Sequence, residues 1–197
     1  QYVPCEPFTI GYAGSPGIKF EKERLDWLIL AVCELNEEGY DCQLKIAGIE
    51  RQFIDNIIPD IKNNVHYNSK VEFMGRLNHI DCLKMISSCD FSAIVRENKR
   101  VTKAGFPTKF SESLGCGTPV ITTNTSNLSE YIIEGYTGFL CKEFSKDSLK
   151  ETIKKAMSIN KNELSEIHRK LKESDILNYE NYTKELLKFM DKLGRVK

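Results

Sequence analysis

The chain has 197 residues, enough for one domain with a sizeable core and short for two. Lys and Arg number 28, as do Asp and Glu, and this balance argues against a dominant nucleic-acid surface, leaving room only for a local basic patch. Apolar residues make up 41% and charged residues 28%, ordinary for a globular protein; no apolar run approaches the roughly 18 residues that span a bilayer.

No secretory signal is visible, and the sequence opens on Gln1 rather than Met, which reads as a fragment or a processed product. Seven cysteines stand at 5, 33, 42, 82, 89, 116 and 141. Their odd number, their apolar neighbours and the lack of any C-x-x-C or nearby His pair predict reduced, mostly buried thiols in a cytoplasmic protein, with no zinc site. Cys116, between two glycines, reads as a small turn residue rather than a nucleophile.

Residues 1–7 hold two prolines and read as a linker before a domain covering 8–197. A short buried strand is predicted over 8–12. The loop AGSPGIKFEKE follows, carrying Gly14, Ser15, Lys19 and Lys22. A helix over 21–36 comes next, with Leu25, Leu28, Ile29, Val32 and Leu35 on one face. Strand, glycine loop and helix form a common phosphate-binding unit. The glycines run G-x-x-G-x-x-G, so the dinucleotide fingerprint fails, and the Walker pattern is absent. Taken alone, the glycines serve a turn equally well, and Lys19 and Lys22 read equally as solvated lysines.

The second strand is predicted over 41–48, a helix with a break near Pro59 over 50–63, and the third strand over 70–74, ending in the corner Gly75-Arg76. A helix over 80–88 leads to a fourth strand over 90–95. The polar loop 96–103 follows. Arg96 is placed to grip a phosphate in bidentate fashion, against a solvated alternative; Lys99, Arg100 and Lys103 read as solvated.

Residues 105–121, GFPTKFSESLGCGTPVI, carry the densest signal. Gly105, Phe106, Pro107 and Thr108 make a loop, Lys109 and Glu112 sit on one face of a short helix, and a Gly-Cys-Gly hinge leads into a β-branched strand over 120–123. The free N–H groups and dipole of such a helix favour an anion, Lys109 adds a full charge, and Glu112 can accept hydrogen bonds from a sugar diol. Two surface charges capping a loop is the alternative. Beyond it come a helix over 127–134, a strand over 138–141, and a helix over 145–157 with Ser145 as N-cap. A helix over 162–173 holds His168, read as a surface residue. A last helix over 179–193 carries the stripe Tyr179, Tyr182, Leu186 and Phe189.

Alternating strands and helices imply a parallel sheet with helices on both faces, a Rossmann-like three-layer α/β sandwich. The glycine loop, the Gly75 corner and the Lys109/Glu112 helix then converge on one sheet edge.

The 105–121 stretch resembles the segment of family 4 retaining glycosyltransferases that reads Lys-x-x-Glu, small residues, Gly-x-Pro-Val-Ile. The resemblance extends in order and spacing from about residue 8 to 190. It implies the C-terminal, donor-binding half of a GT-B fold, without the N-terminal acceptor domain. In the family's Glu-x(7)-Glu motif the second Glu binds the nucleotide ribose and the first the donor sugar. Glu112 matches the second; Ala104 stands where the first would be. Gly14 matches the diphosphate-loop glycine. Lys22, with Lys19 as runner-up, matches the basic residue beside it, and the Gly75-Arg76 corner matches the one under the base.

The implied reaction is retaining transfer of a sugar from a UDP- or GDP-linked donor, with Lys22 and Glu112 as its principal residues. No cofactor is implied. No D-x-D occurs, in keeping with metal-independent chemistry. Cell-surface polysaccharide or glycolipid assembly is the implied setting, with peripheral membrane association only in a full-length enzyme and no nucleic-acid partner. A nucleotide-sugar enzyme that is not a transferase, such as an epimerase of this fold, and a non-catalytic binding module remain the alternatives.

Overall fold

The computed structural model describes residues 2–4 and 6–194, so Cys5 lies outside the described residues. The helices are α1 Leu25–Glu37, α2 Arg51–Ile57, α3 Val65–Lys70, α4 His79–Ser87, α5 Arg100–Lys103, α6 Thr108–Gly115, α7 Lys146–Met157, α8 Lys161–Lys172 and α9 Thr183–Gly194. The strands are β1 Phe8–Ala13, β2 Cys42–Ala47, β3 Val71–Phe73, β4 Phe91–Ile94, β5 Val120–Thr122 and β6 Gly138–Leu140.

Among the described residues these strands form one sheet in the order β3-β2-β1-β4-β5-β6, every neighbouring pair parallel. The predicted Rossmann-like sandwich is the observed fold. Side-chain alternation along the strands assigns the layers. Ile10, Tyr12, Leu44, Ile46, Phe91, Ala93 and Ile121 join the larger core under α1, α3 and α7. Ile94 and Val120 point the other way, into a core with Phe110 and Leu114 of α6 and Ile167 and Leu171 of α8. Gly11 also faces that side: a Cβ there would lie 2.9 Å from Ile86 Cδ1 of α4. Burial of these side chains, worth roughly 1.5–3 kcal/mol each, holds the layers together.

The structure departs from the sequence reading in several places, among them helices α3 and α5 where no helix was expected. The helix expected from Glu21 begins only at Leu25, because residues 15–24 are folded into a loop against the sheet edge. The N–H groups of Lys22 and Glu23 both donate to Pro16 O, and Arg24 N–H donates to Val95 O. The helix expected over 127–134 shrinks to one 3-10 turn, Leu128–Glu130. There the Thr137 hydroxyl accepts from Ile133 N–H and donates to Tyr131 O, replacing helical partners. His168 is not on the surface: it is 3% exposed, its Nε2 lies 2.9 Å from Asp90 O, and Tyr2 stacks on its ring.

The N-cap reading of Ser145 holds, its hydroxyl accepting from Ser148 N–H at 3.1 Å. Cys33, Cys42 and Cys141 are buried, and burial pushes their thiols up to about 12, 12 and 11 respectively, which disfavours the thiolate. Leu186, Leu187, Phe189, Met190 and Leu193 of α9 are exposed, as is Tyr179 before it.

Candidate functional site

The chain's path reverses direction in the sheet between β1 and β4, since β2 and β3 lie on one side and β5 and β6 on the other. In open parallel sheets this switch point opens a crevice beyond the C-terminal strand ends, where ligands bind. The loop after β1, residues 14–24, and the turn after β4, beginning at Arg96, rim that crevice. The N-terminus of α6 stands beside them.

Glycines stitch the loops of the rim together. Gly14 N–H donates to Ala47 O, and Gly48 N–H donates to Gly75 O, each at 2.8 Å. A Cβ on Gly48 would lie 2.7 Å from Gly14 O, and Gly48 has φ +105°, so no other residue fits there without displacing the Gly14 loop. The predicted diphosphate loop and the predicted base corner are therefore adjacent. Arg76, next to Gly75, is exposed.

At the centre of the crevice lies a residue that the sequence reading did not single out. The Glu23 side chain is 0% exposed and holds two cations. Its Oε1 accepts from Arg96 Nε at 2.7 Å and from Arg96 Nη2, and its Oε2 accepts from Lys109 Nζ. The same ammonium lies 4.4 Å from the centroid of the Tyr12 ring, a cation–π contact. Burial pushes the Glu23 carboxyl up, but Lys109 and Arg96 together outweigh it and hold the group below the usual carboxylate range. Burial pulls the Lys109 ammonium below the usual lysine range against the attraction of Glu23. The Tyr12 phenol is pushed up by burial first and by the Glu23 charge second.

Backbone and hydroxyl contacts fix the three participants. Arg96 N–H donates to Thr123 Oγ1 at 2.8 Å, and that hydroxyl donates back to Arg96 O at 2.6 Å. The Ser92 and Ser113 hydroxyls, both buried, meet at 2.6 Å and tie α6 to β4. The first turn of α6 follows Pro107, whose carbonyl accepts from Phe110 N–H at 2.9 Å and whose side chain caps nothing, so the leading N–H groups have no side-chain cap. Phe110, one turn in, anchors the helix and meets Phe106 edge-on at 5.7 Å.

The predicted residues divide into two sets. Arg96 and Lys109 are brought together, but their charged groups are engaged by Glu23. Lys22, Lys19 and Glu112 are exposed and make no side-chain hydrogen bond or ion pair among the described residues. Glu112 and Lys109 line one small cleft with Ala13 and Gly11 of β1 and Cys82 of α4. The Lys22 charge is close enough to Lys109 to help depress it. Ser15 and Thr108 are exposed on the rim, Ser15 Oγ accepting from Gly17 N–H at 3.3 Å. Gly105 is exposed with open space around it, and Ala104 is exposed at the end of α5. Among the described residues the rim thus offers the unpaired Lys19 and Lys22, N–H groups of α6 without a side-chain cap, and the Glu112 carboxylate.

Known proteins resemble this chain in sequence and in fold. The chain is 29% identical over 115 residues to an uncharacterised glycosyltransferase, MJ1178, of Methanocaldococcus jannaschii, covering 57% of this chain and 30% of that protein. Anabaena Alr3699/HepE, solved with UDP and glucose, superposes with a TM-score of 0.68 at 17% identity, over 94% of this chain and 48% of that one. The pneumococcal O-GlcNAc transferase GtfA, solved with UDP and GlcNAc, superposes with a TM-score of 0.62 at 21% identity, over 95% of this chain and 35% of that one. The chain therefore spans less than half the length of each of these three proteins. The family model for glycosyl transferases group 1 matches residues 15–174, most of the sequence, and the chain belongs to that family.

Proposed function

We propose that the chain is the donor-binding, C-terminal half of a family 4 retaining glycosyltransferase with the GT-B fold, taking a nucleoside diphosphate sugar. The observation that carries this reading is the location of Glu112: an exposed carboxylate without a side-chain partner among the described residues, on the cleft that Lys109 and Ala13, the neighbour of Gly14, also line. A ribose diol held there would place the diphosphate over the 14–24 loop and the α6 N-terminus.

In the reaction the bond from the anomeric carbon to the diphosphate oxygen breaks, the acceptor hydroxyl oxygen bonds to that carbon with retention while its proton passes to the departing phosphate oxygen, and the nucleoside diphosphate leaves. Negative charge grows on the departing oxygens. Lys22, the Ser15 N–H and the leading N–H groups of α6 stabilise it, more in the transition state than before it. Glu112 fixes the donor's position. The lack of a D-x-D sequence carries the expectation of metal-independent transfer. The acceptor domain would precede this chain, and the setting would be cytoplasmic assembly of a surface polysaccharide or glycolipid.

Ala104 favours a second reading, a non-catalytic nucleotide-sugar module, because no carboxylate stands where the donor sugar would be met. A thermal-shift panel of UDP-, GDP- and ADP-sugars tests both. A ligand at about 100 times its Kd adds about 2.7 kcal/mol to a folded state that alone binds it. A shift with nucleotide sugar exceeding that with the bare nucleotide supports the transferase. A shift with nucleotide alone, restored to sugar preference by Ala104→Glu, supports the module. No shift with any of them sinks the donor site itself.

A further inference from the structure

The Glu23 cluster has a geometry that simple phosphate binding does not explain. Each carboxylate oxygen has its own cation, Oε1 with Arg96 and Oε2 with Lys109, and the carboxylate is closed off from solvent. Arg96 directs both Nε and Nη2 to one of these oxygens. Lys109 is hemmed by Tyr12 on one side and Gly14 on another. These two cations thus have their strongest donors turned inward, away from an incoming anion.

The loop carrying Glu23 is held in an unfavourable backbone. Lys19 and Phe20 are consecutive non-glycine residues with φ +62°. Phe20 is buried edge-on to Phe53 at 5.9 Å, and Ile18 N–H donates to Glu21 Oε1 at 2.8 Å. Glu23 ties the far end of this loop to the turn after β4 through Arg96 and to α6 through Lys109. Lys22, the residue before it, is left exposed with no ion pair among the described residues.

We propose that Glu23 is the positioning residue of the donor site. It touches no substrate; its carboxylate latches the 14–24 loop across the switch point, so that Lys22 and the Ser15 N–H stand where a diphosphate binds. Arg96 and Lys109 act as buttresses through Glu23. The cluster's net charge of one positive adds a field at the site. This inference rests on the donor-site reading above.

The test is binding of inorganic pyrophosphate to the full chain by calorimetry, with folding of each variant checked by circular dichroism and thermal melting. A double-mutant cycle pairs Glu23→Gln with Lys22→Ala. Each single change is expected to weaken binding about tenfold, and Lys22→Ala is expected to cost less than about twofold once Glu23 is Gln, because the unlatched loop no longer presents Lys22. A role in stability alone leaves the Lys22→Ala loss the same in both backgrounds, and that result overturns the proposal. Tighter binding by Glu23→Gln also overturns it, showing that Glu23 withholds Arg96 and Lys109 from the anion. Glu23→Asp keeps the charge but shortens the reach; it is expected to fall between Glu and Gln, and it replaces Gln in the cycle if that variant does not fold. Absence of binding by the unaltered chain removes the donor-site reading, and this one with it.

Discussion

Gly14 and Lys109 compete for one volume: a methyl group at Gly14 would stand 2.7 Å from Cε and 2.8 Å from Nζ of Lys109. The two residues are 95 positions apart in the chain, and the lysine passes over the end of β1 to reach Glu23 only because position 14 has no side chain. Gly14 also has φ +125°, which other residues adopt at a cost of about 1–3 kcal/mol. Gly14→Ala is therefore expected to lower stability by about that amount and to weaken nucleotide binding as Lys109 is pushed from its seat. Urea unfolding and nucleotide titration of the same preparation measure both.

Lys109→Met leaves Glu23 buried with Arg96 as its remaining cation. Breaking one arm of a buried ionic cluster is expected to cost about 3 kcal/mol. The acid response should move as well. Glu23 in the fold is held below the usual carboxylate range, so its stabilising contribution is complete above that range and is lost as pH falls through the depressed value. With Lys109 gone, burial gains on the remaining cation, the carboxyl rises, and the acid loss begins at higher pH. Urea midpoints from about pH 7 down to about pH 3 should show the variant's curve displaced upward in pH; coincident curves would mean that Lys109 does not stabilise the ionised form.

Glu112 offers a cleaner separation of binding from folding. It is exposed and has no side-chain partner among the described residues, so Glu112→Ala is expected to change stability by no more than about 0.5 kcal/mol. Loss of a charge-assisted pair of hydrogen bonds to a ribose is expected to weaken nucleoside diphosphate binding about tenfold or more, while inorganic pyrophosphate binds as before. Equal losses for both ligands would place Glu112 near the phosphates instead.

His168 gives the fold a second acid-sensitive element, far from the crevice. Burial pulls its ring down to about 4, partly offset by the bond to Asp90 O. Below the ordinary histidine range the unfolded chain takes up a proton that the folded chain does not, so stability falls with pH until the folded value near 4 is reached. The slope contributed is at most about 1.4 kcal/mol per pH unit. His168→Leu is expected to flatten the stability curve over that interval, at some cost in absolute stability from the lost bond to Asp90 O. Retention of the full slope would assign the acid sensitivity to carboxylates alone.

Much of the architecture was written in local patterns. The β-branched and aromatic runs marked every strand, and the apolar spacing of Leu25, Leu28, Ile29, Val32 and Leu35 marked the α1 face that meets the sheet. The helix starts at Leu25 rather than Glu21 because distant acceptors, Val95 O for Arg24 and the Arg96 and Lys109 cations for Glu23, hold the preceding residues in a loop. Local spacing carries no information about such partners. His168 was misplaced for a like reason: its helix reads as amphipathic, and the contacts that bury the ring, Asp90 and Tyr2, lie 78 and 166 residues away in the chain.

The candidate site divides along the same line. The Lys109-to-Glu112 spacing, the glycine positions and the Pro107 start of α6 are short-range features, and they alone put an anion-favouring helix end and a free carboxylate at one sheet edge. Which lysine remains available was decided by tertiary structure. Folding placed Glu23 between two cations 73 and 86 residues away, so Arg96 and Lys109 are neutralised in part while Lys22 is not. An ion pair forms where the backbone brings charges together out of water, and that meeting is a property of the packed sheet edge rather than of any stretch of sequence.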